Sequence, residues 1–170
     1  MLYLLQSQFL ECAHMTQKNK THLKFLHCSD IHLDSPIIGL SAEKSEERRR
    51  VLRNSFMRLM QYVRESNIDV VLMSGDLFDI KYATNTTAEV LIREFKNCPD
   101  TDFIISPGKH DYYTDNPIYT SGRLPKNCYV FNSDSRAVIN VAVNYRICFH
   151  TFFHKRPAVN SYIVILKIKA

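Results

Sequence analysis

The sequence predicts an α/β fold in which parallel strands alternate with helices and a functional site gathers at the carboxyl ends of the strands. Three observations predict it. Short apolar, β-branched runs alternate with segments whose apolar residues recur at helical spacing, in the order strand, helix, strand, helix, strand. Each run ends in a polar cluster: Ser29-Asp30-Ile31-His32, Ser74-Gly75-Asp76 and Pro107-Gly108-Lys109-His110-Asp111. The 170 residues, 45% of them hydrophobic, suit one domain with a buried core rather than two of ordinary size.

The elements follow in order. Residues 23–28 read as a first strand running straight into Ser29-Asp30-Ile31-His32. Ser41 is an N-cap candidate, with Glu43, Glu46 and Glu47 near the positive end of the helix dipole. Val51, Leu52, Phe56, Leu59, Met60 and Val63 then recur at helical spacing, which predicts a long amphipathic helix over 42–66. Ile68–Met73 reads as a buried second strand. Thr86 or Thr87 is expected to cap a second helix whose inner face is Val90, Leu91 and Phe95. Residues 103–106 form the third strand, and a shorter one, Cys128–Phe131, closes the readable part. Parallel sheets bind ligands beyond the carboxyl ends of their strands, so Asp30, His32, Asp76 and His110 fall on one edge.

Composition narrows the class. No apolar run reaches the roughly 18 residues that cross a bilayer. Met1–Leu10 is apolar but lacks a basic leading region and a small-residue cleavage site. Residues 1–22 are therefore read as a loosely ordered extension, with Met15 an alternative start. Five cysteines without C-x-x-C spacing argue for a reducing compartment, hence the cytoplasm, and for thiols used as buried filler. The net charge of +5 is not spread evenly: residues 135–170 hold six basic and no acidic side chains, which leaves 16 basic against 17 acidic in 1–134. The excess therefore marks no nucleic-acid face on the first 134 residues.

Beyond Asp134 the character changes. Val138–Val143 and Ile163–Ile168 read as strands, but Phe149–His154 fits neither period, and no Gly follows Gly122. The expectation is a basic, atypical segment over 135–170, frameshifted or truncated relative to what precedes it. The nucleotide sequence of the locus tests this: an in-frame extension with a different reading after about Asp134 supports it, and a confirmed stop after Ala170 overturns it. As a tail, it is read as artefact or disordered chain in preference to an electrostatic DNA contact, which would weaken steeply with salt.

The polar clusters suggest a metal site. Asp30-x-His32 on an extended chain puts a carboxylate and an imidazole on one side. Mixed oxygen and nitrogen ligands suit manganese, iron or zinc rather than calcium. Asp76 follows a glycine that allows close approach, and its two oxygens could bridge two cations. His110, after its own glycine turn, is placed to protonate a leaving oxygen. Singly, each reads as an ordinary surface or capping residue. It is their recurrence at three successive strand ends that marks a site.

These motifs resemble the D-x-H, G-D-x-x-D and G-N-H-D series of calcineurin-like metallophosphoesterases. The runs His27–Pro36 and Gly75-Asp76-Leu77-Phe78-Asp79, with the continuation Leu33-Asp34-Ser35-Pro36-x-x-Gly39-Leu40, look most like the SbcD-type DNA repair exonuclease branch and its YhaO-like members. The resemblance covers residues 23–134, as the N-terminal half of a metallophosphoesterase sandwich. It implies that Asp30 and His32 bind a first metal, that Asp76 bridges two, and that Asp79 supports from behind. It also implies that His110 positions or protonates the scissile phosphate, with Asp111 orienting it. The implied cofactor is manganese, the substrate DNA, and the partner an SbcC-type ATPase, with no membrane involved.

Two departures from the family pattern stand out. Its asparagine before the catalytic histidine is here Lys109, and an ammonium has no lone pair to offer a cation. Its Gly-His-x-His turn is missing, and His150 and His154 are read as incidental. The expectation is one weakly held metal and little or no nuclease activity from this chain alone. Two alternatives are a phosphoesterase for nucleotides or phosphoproteins, and a non-catalytic phosphate- or nucleic-acid-binding remnant in which the Lys109 ammonium fills the second metal position.

Overall fold

Four strands pair in parallel in the order β1-β2-β3-β4: β1 (Phe25–Cys28), β2 (Val70–Ser74), β3 (Asp102–Ser106) and β4 (Cys128–Val130). The structure is a computed structural model. It describes residues 22–132 apart from Ile38, together with the backbone of 136–142 and 145–150. Helix α1 (Ala42–Glu65) joins β1 to β2, and α2 (Asn85–Lys96) joins β2 to β3. A one-turn helix, α3 (Pro117–Thr120), precedes β4. Parallel strands joined by helices require crossovers of this length, and both are present.

Alternate residues of the strands build one core. Leu26 and Cys28 of β1, Val71 and Met73 of β2, and Phe103 and Ile105 of β3 face the helix layer. There they meet Phe56, Met60 and Val63 from α1 and Leu91 and Phe95 from α2. Phe95 stacks tilted on Phe103 with ring centroids 4.5 Å apart, and meets Phe56 nearly edge-on at 6.2 Å. The long helix starts where its sequence says it should: Ser41 caps α1 by accepting the Lys44 amide at 3.4 Å.

The second helix starts two residues earlier than expected. Its cap is Thr84, in extended backbone, and not Thr86 or Thr87. Thr84 Oγ1 accepts the Thr87 amide at 3.3 Å while Thr87 Oγ1 accepts the Thr84 amide at 2.9 Å, a reciprocal capping box. A run of three capping-type residues, Asn85-Thr86-Thr87, hid the true boundary.

After Asp134 the backbone forms a separate two-stranded antiparallel sheet, β5 (Arg136–Ala142) with β6 (Tyr145–His150), its register broken between Asn140 and Ala142. The expected strand Val138–Val143 thus lies largely within β5. The start of the unperiodic run, Phe149 and His150, lies in β6. The expected strand Ile163–Ile168, His154 and residues 1–21 fall outside the described residues. Among the described residues no helix is long and apolar enough to cross a membrane. Cys28, Cys98 and Cys128 are free thiols, Cys98 buried and the others half-buried.

Candidate metal centre

The loops that leave β1, β2 and β3 continue the sheet's parallel order for several residues. Asp30, His32 and Leu33 donate their backbone N–H groups to the carbonyls of Gly75, Asp76 and Leu77 at 3.1, 2.9 and 2.9 Å. Gly75 in turn donates to Ser106 at 2.8 Å, and Ile80 to His110 at 2.9 Å. These bonds bring the three polar clusters to one edge.

Asp30, His32 and Asp76 offer ligand atoms that all lie within 4.8 Å of one another. The means differs from the sequence reading. Asp30 and His32 are not on an extended chain: both are left-handed, with φ of 53° and 47°, and Asp76 has φ of 51°. An L-residue rarely adopts this backbone, and Asp does so more readily than most. The side chains therefore converge through a strained loop rather than through the pleat of a strand.

Asp79 ties the two histidines together. Its Oδ1 lies 2.6 Å from Nδ1 of His110 and its Oδ2 lies 3.5 Å from Nδ1 of His32. Ser35 donates its hydroxyl to the same carboxylate. A carboxylate on Nδ1 favours the tautomer that leaves Nε2 with its lone pair, which suits a metal ligand. His32 Nε2 is 4.0 Å from Asp76 Oδ2, and the two imidazoles meet edge-on with centroids 5.3 Å apart. Asp76 uses Oδ1 to accept the His110 amide at 2.8 Å, which leaves Oδ2 toward His32.

Asp111 is placed differently from the expectation that it orients His110. It is fully buried, and its carboxylate accepts four donors: the amides of Asp76 and Leu77 at 3.1 Å each, the Gly108 amide at 2.5 Å and the Tyr119 hydroxyl at 2.6 Å. Burial pushes its pKa up, while Tyr119 and the three amides pull the other way. Its work is to hold the β2 and β3 loops together by filling their unpaired N–H groups. The residue that meets the His110 ring is Asp79.

Gly108 explains why a glycine opens the third cluster. A Cβ there would sit 2.3 Å from Asp76 Oδ1 and 2.4 Å from Asp76 N, so only a hydrogen fits. Lys109 is exposed, and its ammonium forms no ion pair with the described residues. The side chain of His150 and all of His154 lie outside the description.

Three residues with roles here were given none by sequence reasoning. Asp34, 2% exposed, pairs with Arg53 and Thr87. Ser35 and Tyr119 support Asp79 and Asp111. For Asp34 the available signal was its place in the Leu33-Asp34-Ser35-Pro36 continuation, two residues beyond His32.

The donor set, two carboxylates and an imidazole, fits a divalent transition metal. A model of the calcineurin-like phosphoesterases matches residues 23–163. The chain is 30% identical over 120 residues to the uncharacterized metallophosphoesterase YhaO of Bacillus subtilis, covering 66% of this chain and 28% of that one. It is 31% identical over 91 residues to the DNA double-strand break repair protein Mre11 of Saccharolobus solfataricus, covering 52% and 23%. The corresponding protein of Sulfurisphaera tokodaii is 31% identical over 90 residues, covering 52% and 22%. The chain thus spans less than a third of the length of each of these relatives.

Proposed function

Since the chain belongs to the calcineurin-like phosphoesterase family, we propose that it carries the first-metal half of a phosphodiesterase site of the DNA repair nuclease type. The observation that carries this reading is the convergence of Asp30, His32 and Asp76 within 4.8 Å, with His110 held beside them by Asp79. In this reading Asp30, His32 and Asp76 hold one divalent cation, with manganese the first choice for its mixed oxygen and nitrogen ligands. When bound, such a cation polarises a phosphoryl oxygen and lowers the pKa of water. His110, its ring 47% exposed, presents Nε2 to the leaving oxygen while the Asp79 carboxylate steadies Nδ1. Asp79 would stabilise the imidazolium formed when His110 takes up a proton. Asp111 acts one step further back, through the loops it joins.

Lys109 limits the site. Its positive charge next to His110 opposes a second cation, so the reading is one metal and weak hydrolysis. The DNA substrate rests on the Mre11 relatives and the motif resemblance, the SbcC-type ATPase partner on the resemblance alone, and the cytoplasmic location on the unpatterned cysteines. Nucleotide or phosphoprotein substrates share the same three motifs.

A second reading, phosphate binding without hydrolysis, is favoured by the exposed Lys109 ammonium, which has no ion pair among the described residues. One experiment separates the two. The purified 170-residue chain is titrated with Mn2+ and with inorganic phosphate, and tested on a labelled DNA duplex. The nuclease reading expects one Mn2+ per chain, lost in Asp76→Ala, and added metal binding with stronger duplex cleavage in Lys109→Asn. Phosphate affinity lost in Lys109→Asn with no gain in metal favours the binding module. A wild-type chain that takes up no Mn2+ overturns the metal centre itself.

A further inference from the structure

We infer that Asp34 is a positioning residue for this metal centre, a buried acid that locks the Asp30–His32 loop onto both helices at once. The inference rests on the metal-centre reading given above. The backbone hydrogen bonds from Asp30, His32 and Leu33 tie the loop sideways to its neighbour in the sheet. They do not reach the helix layer. Asp34 does: Oδ1 accepts Arg53 Nε from α1 at 2.5 Å, and Oδ2 accepts the Thr87 hydroxyl from α2 at 2.7 Å.

Both partners are themselves fixed. Thr87 is fully buried, and its hydroxyl accepts the Thr84 amide within the capping box while it donates to Asp34. Arg53 reaches back along α1, its Nη1 lying 3.7 Å from Glu46 Oε1. Asp34 therefore receives one donor from each helix, and its charge is matched by a guanidinium. A buried carboxylate lacking that match would be costly, so the pair sets where the loop can sit.

The position matters because of what the same turn carries. Asp34 is left-handed, with φ of 65°, as are Asp30 and His32, so alternate residues of the loop occupy strained backbone. Such conformations persist only where the surroundings over-determine them. Ser35 donates its amide to the His32 carbonyl at 3.0 Å and its hydroxyl to Asp79, closing a turn around His32. A tilt of that turn moves the His32 ring relative to Asp76 Oδ2 and Asp79 Oδ2 together. Asp34 touches neither the metal nor substrate; it acts through His32.

Co2+ binding to the full 170-residue chain tests this, since the visible spectrum of bound cobalt reports ligand geometry. Asp34→Asn keeps the size and removes the charge. Expected are a cobalt affinity lower by about tenfold or more, the range for residues that orient metal ligands, and altered visible bands. Thr87→Val, which keeps the ion pair and removes one hydrogen bond, should show a smaller loss in the same direction. It carries the test if Asp34→Asn does not fold. A residue that only adds stability would lower the melting temperature and leave the cobalt spectrum of the folded protein unchanged. Wild-type affinity and spectrum in a folded Asp34→Asn, or in Thr87→Val where that variant stands in, overturns the inference and leaves the metal centre intact. A wild-type chain that binds no cobalt overturns both.

Discussion

The helix-covered core and the loops at the strand ends are built by different rules. In the core, alternate strand residues and one face of each helix meet in regular backbone, and apolar burial does the stabilising. In the loops, four of the six non-glycine residues with positive φ among the described residues are concentrated: Asp30, His32, Asp34 and Asp76. What holds them there is a set of buried or half-buried acids, Asp34, Asp79 and Asp111, each accepting donors from more than one segment. The difference teaches that folding energy and site geometry reside in separate residues here, so each should be removable without the other.

The largest effect should come from the core. Phe103 is fully buried against Phe95, and Phe103→Ala should cost about 3–5 kcal/mol in urea unfolding, as large-to-small core changes do. The fraction that remains folded should bind cobalt with unchanged affinity. Loss of affinity in that fraction would break the separation.

A smaller cost with the opposite signature is expected at the loops. In Gly108→Ala the new Cβ meets Asp76 backbone and carboxylate at 2.4 and 2.3 Å, and Asp76 must move. Overpacking of this kind costs about 1–3 kcal/mol, less than the core truncation. Cobalt affinity, however, should fall well below that of Phe103→Ala. Equal affinity in the two variants would show that the site tolerates displacement of Asp76.

The two rules also decide what could be read in advance. The core was legible because hydrophobic spacing is a direct consequence of helix and strand periods: α1, α2 and the four parallel strands follow from it to within a few residues. Asp30, His32, Asp76 and His110 were legible as a group because strand order alone carries the chain ends to one edge. What periodicity does not encode is which acid meets which partner. Asp111 follows His110 in sequence yet turns away to bind the Asp76, Leu77 and Gly108 amides, while Asp79, thirty-one positions before His110, meets its ring. The left-handed backbone at Asp30 and His32 was equally hidden, since nothing in a D-x-H run distinguishes a twisted loop from an extended one. Asp34 needed Arg53 and Thr87 to be seen together, and they lie 19 and 53 positions away.

The smallest effect probes the seam between the two regions. Cys28 is the last residue of β1, its side chain packed against the core while the next residues enter the site. Burial pushes its thiol from 9.0 up to about 11, and burial raises Cys128 further, with Asp102 adding to it. A folded chain thus keeps these protons where an unfolded one has lost them, and above pH 9 the unfolded state binds fewer protons than the folded state. Stability from this source is complete below pH 9 and falls as pH rises from 9.0 through about 11. Urea midpoints measured across that window should decline for the wild type and decline less for Cys28→Ala, since the variant has no buried thiol to ionise at that position. A decline as steep in Cys28→Ala as in the wild type would mean that water reaches the end of β1. The boundary between core and loop would then lie at Leu26, two residues earlier than the packing of Cys28 places it.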